Sequence, residues 1–168
     1  RRSLSDLKRK GGLISIASRW LNRKEIQNNK ELKPKWNGTD HVWNFPSGNS
    51  LSFGYLRNVQ DLDTYQGSEY QFIAIDELTQ MERFKYIYMR SRVRKAKSNK
   101  LPTQIFSASN PGNRGNKWVR ERFIEHKDEN VDYNEVRFIP SSYRDNIYLD
   151  RKEYEEFLLG LDRIQREQ

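Results

Sequence analysis

The sequence predicts an α/β fold in which a mostly parallel sheet is flanked by helices. Residues 72–75 form a continuous apolar run between polar segments, which is typical of a strand buried on both faces of a parallel sheet. A turn and an amphipathic helix are expected next, and residues 104–107 have the composition of a second short strand. Strand, turn and helix in this order are typical of α/β nucleotide-binding folds.

The N-terminal part is expected to be helical and then irregular. A capping-box pattern at residues 3–6 predicts the start of a short helix, which Gly11 and Gly12 would end. Apolar residues at helical spacing over residues 13–21 predict a second helix. Residues 22–40 are polar and contain a proline and a glycine, so we expect a loop there.

A β-hairpin is predicted near residues 41–55. Residues 46–49 have the composition of a turn, and Leu51, Phe53 and Tyr55 alternate with polar residues on the strand that follows.

After the apolar strand, Thr79 and Glu82 have the spacing of a second capping box, which predicts a helix to about residue 92. Phe84, Ile87 and Tyr88 would lie on one side of this helix.

The C-terminal third is expected to add two helices and a strand. Helical patterns cover residues 117–124 and a last segment capped by Asp150 with Glu153. Residues 135–139 have a strand-like composition that ends at Pro140.

Composition restricts the classes of function. The 168 residues fit one domain or a piece of one, and 31 Lys and Arg against 23 Asp and Glu make a net charge of +8, which suits a surface that meets phosphates or acidic partners. The lack of cysteine excludes disulfides and thiolate metal sites, and His41 and His126 lack ligand spacing. No apolar run approaches the about 20 residues that cross a bilayer, so we expect no membrane association.

Two carboxylates follow the apolar strand directly. Asp76 stands at its carboxyl end, where an ATP-hydrolysing site on a phosphate-loop scaffold needs an oxygen ligand for Mg²⁺. Glu77 is placed to act as a general base on the attacking water. The alternative interpretation is that both acids only favour the dipole of the helix that follows.

A second polar segment follows the second strand. Ser107, Ser109 and Asn110 would put hydroxyls and an amide beside the γ-phosphate, where such groups relay hydrolysis into movement. The alternative is a plain turn before Pro111.

The sequence around these residues, from Tyr65 to Gln80, resembles the Walker B region in the large terminase subunits of tailed phages. Other landmarks of that family are matched in the family's order by Arg1-Arg2-Ser3-Leu4, Phe45-Pro46-Ser47-Gly48, Ser91-Arg92-Val93-Arg94, Ser109-Asn110-Pro111-Gly112, Trp118-Val119-Arg120-Glu121-Arg122-Phe123 and Asp145-Asn146-Ile147-Tyr148-Leu149.

The resemblance implies a P-loop NTPase domain of the additional-strand, catalytic-glutamate class that uses ATP and Mg²⁺. Asp76 matches the Walker B acid that binds Mg²⁺, and Glu77 matches the catalytic glutamate. Residues 107–110 match the coupling segment, with Asn110 as the preferred phosphate sensor. The motor of this family drives double-stranded DNA through the portal protein into a procapsid, in the cytoplasm of the infected host cell. Its expected partners are the portal, the small terminase subunit and further copies in a ring.

The sequence departs from the family pattern because it has no G-x-x-x-x-G-K-[ST] phosphate loop. We therefore expect residues 1–168 to be a partial ATPase domain with an incomplete core. The phosphate loop would lie upstream and a nuclease domain downstream, and the chain alone should hydrolyse ATP poorly.

Basic residues crowd the segment 90–100, and Arg92 is the candidate arginine finger for a neighbouring subunit's nucleotide. The alternative is a solvated helix end.

Two other functions stay open from the sequence alone. A nucleic-acid helicase of related fold also uses a Walker B acid pair. A non-enzymatic module that binds DNA or the capsid fits the charge and the missing phosphate loop.

Overall fold

A computed structural model describes residues 3–95 and 102–160. The chain forms two compact units, the first from Arg1–Ile73 with Tyr88–Gln104 and the second from Ala74–Ile87 with Ile105–Gln168. Within the described residues, no helix combines the length and apolar character needed to cross a membrane.

The first unit begins with three short helices, α1 (Leu4–Lys8), α2 (Leu13–Leu21) and α3 (Lys24–Gln27). Ser3 caps α1 as predicted, because its hydroxyl accepts a hydrogen bond from the Asp6 N–H at 3.2 Å. The prediction of α2 is confirmed.

A three-stranded antiparallel sheet follows, with the order β1 (Lys35–Asn37), β2 (Val42–Asn44) and β3 (Ser50–Ser52). The predicted hairpin is confirmed in β2 and β3. The predicted loop at residues 22–40 is wrong in part, because it contains both α3 and β1. Strand β1 is stabilised across the sheet by Trp36, whose ring lies 5.2 Å from that of Trp43, and a local reading of polarity does not detect such a pair.

A second sheet consists of the predicted strands, β4 (Phe72–Asp76) and β5 (Gln104–Ala108), which run parallel. The prediction that β4 is buried on both faces is wrong. Ile73 and Ile75 are buried, whereas Phe72 is 53% exposed. Within the described residues this sheet has two strands rather than the wider sheet that was expected, and one of its faces is left uncovered.

Helix α4 (Arg83–Ser91) starts later than the capping pattern predicted, after a 3₁₀ turn at Leu78–Gln80. Its buried face carries Tyr86 rather than Phe84, which is 49% exposed. Packing explains this difference, because the Tyr86 ring lies 5.3 Å from Trp118, a residue far along the chain.

The C-terminal part adds α5 (Asn116–Phe123) and α6 (Arg151–Leu159), both predicted. Asp150 caps α6 as expected, because its carboxylate accepts hydrogen bonds from two backbone N–H groups. The predicted strand at residues 135–139 is wrong. Irregular backbone follows a 3₁₀ turn at Tyr133–Glu135. Ile139 remains 78% exposed because no strand among the described residues pairs with this segment.

Candidate functional site

The two predicted catalytic carboxylates lie where β4 ends. Asp76 is the last residue of the strand, and Glu77 follows with φ 58° and ψ 53°, in the left-handed region. This conformation costs roughly 1 to 2 kcal/mol for a residue other than glycine, so neighbouring contacts must hold it. Both side chains are half-buried. The strand end and the strained backbone together direct a carboxylate to a defined position.

The residue that holds this turn is Thr79, which is 3% exposed. Its backbone N–H donates to the Ser109 hydroxyl at 2.9 Å, and the Thr79 and Ser109 hydroxyl oxygens lie 2.7 Å apart. Its hydroxyl also donates to the Asn110 carbonyl oxygen at 2.7 Å. The sequence predicted Thr79 as a helix cap, and this is wrong because its hydroxyl is engaged by residues 30 positions away.

The backbone carbonyls that follow are held in the same way. The Gly115 N–H donates to the Thr79 carbonyl at 2.8 Å, the Arg114 side chain to the Gln80 carbonyl at 3.0 Å, and the Trp118 indole to the Met81 carbonyl at 2.8 Å. We call this set of hydrogen bonds between residues 79–81 and residues 109–118 the turn clamp. It joins the segment after β4 to the segment after β5.

Gly115 is required for this approach. A Cβ atom at this position would lie 2.7 Å from the Thr79 carbonyl oxygen and 2.5 Å from that of Met81. Both atoms belong to the backbone, so neither can rotate away. Only glycine therefore allows α5 to begin against the turn.

The predicted coupling residues divide into two groups. Ser109 and Asn110 contact Thr79, two positions after Glu77, through the Ser109 hydroxyl and the Asn110 backbone. Ser107 is half-buried on β5. The Asn110 side-chain amide is exposed and has no hydrogen bond within the described residues, which leaves it available to a ligand. The catalytic and sensing roles of these residues stay predictions.

Arg92 lies in the first unit, and its guanidinium carbon is 4.9 Å from the centre of the Tyr88 ring. Its Nε donates to the Ser91 hydroxyl at 3.2 Å. Its role as an arginine finger stays a prediction. Lys97 and Lys100 of the same basic segment lie outside the described residues.

A buried ion-pair cluster stabilises the end of α5. The Asp128 carboxylate, 7% exposed, accepts hydrogen bonds from Arg83 at 3.0 Å and from Arg122 at 2.8 Å. Burial opposes ionisation of Asp128, but the hydrogen bonds from Arg83 and then Arg122 outweigh it and hold the pKa below its ordinary value. The cluster borders a cavity of about 310 Å³ whose lining has both signs of charge, among them Lys127 and Glu129. Such a lining favours no particular ligand, so we interpret the cluster as structural.

The described residues contain no group of three or more His, Cys, Asp or Glu side chains placed to hold a metal ion. A nucleotide-bound Mg²⁺ needs fewer protein ligands, because it takes one or two protein carboxylates and completes its coordination shell with phosphates and water. Asp76 at the strand end offers one such carboxylate, and its role as a Mg²⁺ ligand stays a prediction.

Sequence reasoning missed Thr79 and Gly115 as parts of this site. A threonine after two acids has the pattern of a cap, and the glycine lies in a segment that reads as a turn. A single sequence does not show whether such a residue forms a local cap or turn or a contact with a distant segment. The partners of Thr79 and Gly115 lie 30 or more positions away along the chain.

The sequence profile of the family described as "Phage terminase large subunit" matches residues 34–159 and so spans the β1–β3 sheet, both strands of the second sheet and the turn clamp. No curated protein and no solved structure matches the chain. The family match confirms the resemblance that the sequence landmarks indicated.

Proposed function

The chain belongs to the phage terminase large-subunit family, and on that premise we propose that its second unit carries the ATP-hydrolysing and coupling residues of a DNA-packaging motor. The turn clamp is the observation that supports this proposal best. It joins the turn after the two acids to the polar segment expected to sense phosphate. The strained backbone at Glu77 and the buried Thr79 with several partners support this assignment.

In this proposal Asp76 and Glu77 have separate roles. The Asp76 carboxylate would hold the Mg²⁺ that accompanies ATP, and that ion would neutralise phosphate charge. The Glu77 carboxylate accepts a proton from the attacking water, so its direction matters. The left-handed backbone supplies that direction, and the clamp at Thr79 holds it.

Coupling follows from the same contacts. A change of position at Asn110, whose exposed amide would meet the γ-phosphate, passes to Thr79 through a 2.7 Å hydrogen bond from the Thr79 hydroxyl to the Asn110 carbonyl. Ser109 bonds to both the backbone and the side chain of Thr79. We propose that nucleotide hydrolysis moves the segment after β5 by this route, with Ser107 on the strand itself.

The wider assembly is proposed from the family. The substrate is double-stranded DNA, and the partners are the portal protein, the small terminase subunit and further copies in a ring, in the host cytoplasm. Arg92 is the proposed finger toward a neighbouring copy. The family match favours this function over a helicase.

The decisive experiment replaces Glu77 by Gln in a large subunit that carries this sequence together with a phosphate-binding loop. We expect steady-state ATP hydrolysis to fall by about 10² to 10⁴-fold, because the variant lacks the proton acceptor, while nucleotide binding is retained. Glu156→Gln on the exposed side of α6 is the matched control and should hydrolyse ATP normally. Normal hydrolysis by the Glu77 variant would overturn the proposed mechanism.

A further inference from the structure

A basic groove lies in the first unit, lined by residues of the predicted loop and of the hairpin that follows it. Its volume is about 390 Å³. We call it the lysine groove, and its lining consists of Lys30, Lys33, Lys35, Asn44, Phe45 and Pro46.

The three lysines of this groove are exposed, and none forms an ion pair with a carboxylate within the described residues. The backbone N–H of the neighbouring Glu31 donates to the Asn29 side-chain oxygen, and its carboxylate forms no ion pair with the lysines in this part of the chain. The sequence from residue 19 to residue 35 has six basic residues and two acidic ones, so the local potential is positive.

The backbone around the lysine groove is held by hydrogen bonds and by a buried proline. The Asn29 carbonyl accepts the Leu32 N–H at 3.1 Å and the Lys33 N–H at 2.8 Å. Pro34 is buried directly before β1. These contacts hold the backbone that carries the lysines, which lowers the entropy cost of ordering that backbone on binding.

The sheet beneath continues the polar surface. Lys35 on β1 lies opposite Asn44 on β2, and Asn44 lies opposite Ser50 on β3. All three are exposed, while Trp43, the neighbour of Asn44, is 3% exposed and lies on the other face. One face of the sheet is therefore packed with aromatic rings, and the other presents an ammonium, an amide and a hydroxyl in a row.

We infer that the lysine groove binds the phosphodiester backbone of double-stranded DNA. The inference rests on the proposed function, since it adds the surface through which the motor holds its substrate. Ammonium groups attract phosphates without reading bases, and Asn44 can donate its amide hydrogens to a phosphate oxygen. A motor that moves along any sequence needs contacts of this kind.

The charged residues in the lining of the lysine groove are all lysines. Ammonium groups attract phosphates and carboxylates alike, so the lysines establish an anionic partner, and the proposed function selects DNA. Lysine is a compact point charge that suits a row of phosphates. Phe45 and Pro46 add an apolar wall against which deoxyribose can pack.

The test is a triple variant, Lys30→Gln with Lys33→Gln and Lys35→Gln, in the full chain. Binding to a mixed-sequence DNA duplex is followed by fluorescence anisotropy over a range of salt. We expect the affinity to fall about tenfold or more near physiological salt, and the slope of log K against log salt to flatten by about 2 to 3, because three phosphate contacts are lost.

A matched control removes the same charge from the second unit, through Lys117→Gln, Lys127→Gln and Lys152→Gln. These side chains are exposed, and we expect the affinity to stay within about twofold of the original. Equal losses in both triple variants would overturn the inference, because net charge alone would then explain binding. An unchanged salt slope in the groove variant would also overturn it.

Two further measurements keep the outcomes separate. If the groove variant loses binding to polyglutamate but not to DNA, the partner is an acidic protein and the inference fails. Circular dichroism of the groove variant should match that of the original chain, since exposed lysines contribute little to folding. The Glu77 variant reports on the proposed function independently, because DNA affinity without nucleotide does not depend on that carboxylate.

Discussion

The ion-pair cluster of the second unit and the lysine groove of the first unit use their positive charges differently. In the second unit, Arg122 and Arg83 both contact Asp128, and Arg114 lies 2.8 Å from Glu82. In the first unit, the lysine groove has three ammonium groups without a carboxylate within the described residues. Charges with an internal partner stabilise the fold, whereas charges without one are available to a partner outside the chain.

Burial separates the two groups further. Arg122 is 2% exposed and has no solvent to replace Asp128, so loss of this pairing should cost stability. The groove lysines are solvated and contribute to folding mainly through their aliphatic stems. Removing a charge should therefore cost stability in one unit and affinity in the other.

The largest effect on stability is expected for Asp128→Ala. This change leaves the buried Arg122 guanidinium without its carboxylate, and we expect the free energy of unfolding in urea to fall by about 3 to 5 kcal/mol. Lys33→Ala in the lysine groove is the matched comparison, with an expected change within about 0.5 kcal/mol. Similar losses in the two variants would remove the distinction between the units.

A smaller effect is expected at the turn clamp. Thr79→Val keeps the shape of the side chain but removes the hydroxyl that bonds Ser109 and Asn110, so we expect a loss of roughly 1 to 3 kcal/mol in unfolding free energy. Thr79→Ser should keep most of the stability, and the exposed Thr64→Val should change it little. In a double-mutant cycle, Ser109→Ala should add little to Thr79→Val.

The functional part of this prediction concerns coupling. If Thr79 positions the turn after Glu77, Thr79→Val should slow ATP hydrolysis more than it weakens ATP binding, and Thr79→Ser should restore the rate. A variant that loses stability but hydrolyses ATP normally would leave Thr79 with a structural role alone.

The smallest effect is the pH dependence of the ion-pair cluster. The hydrogen bonds from Arg83 and Arg122 hold the pKa of Asp128 below its ordinary value despite burial, so the unfolded chain binds this proton more readily than the folded one. The stabilisation is present above the ordinary aspartate pKa of about 3.9 and is lost as pH falls through the lower value of the folded state. Urea unfolding between about pH 6 and pH 3 should show this decline, and Asp128→Asn should flatten it.

Elements with local causes agree with the sequence. Ser3 and Asp150 cap their helices through N–H groups two or three residues away, and the turn before Asn49 places Gly48 at φ 84°. These interactions form within a few residues, so the local pattern contains all that is needed. The position of Asp76 and Glu77 at the end of a strand was predicted on the same grounds.

Elements whose partners lie far along the chain differ from the sequence-based prediction. Strand β1 depends on the pairing of Trp36 with Trp43, and residues 135–139 lack a strand to pair with in the part of the chain that the structure describes. The exposed Phe72 shows the same effect, because burial of an apolar strand requires cover on both faces.

The sequence by itself therefore determined the family, strands β2 to β5, most of the helices and the place of the two acids, since short motifs and local hydrogen bonds carry that information. Only the tertiary structure decided that Thr79 bonds Ser109 instead of capping a helix, and that a polar stretch becomes the lysine groove. The physical reason is distance along the chain. A hydroxyl or an ammonium group acquires its role from the groups that folding brings beside it, and those groups lie outside any local pattern.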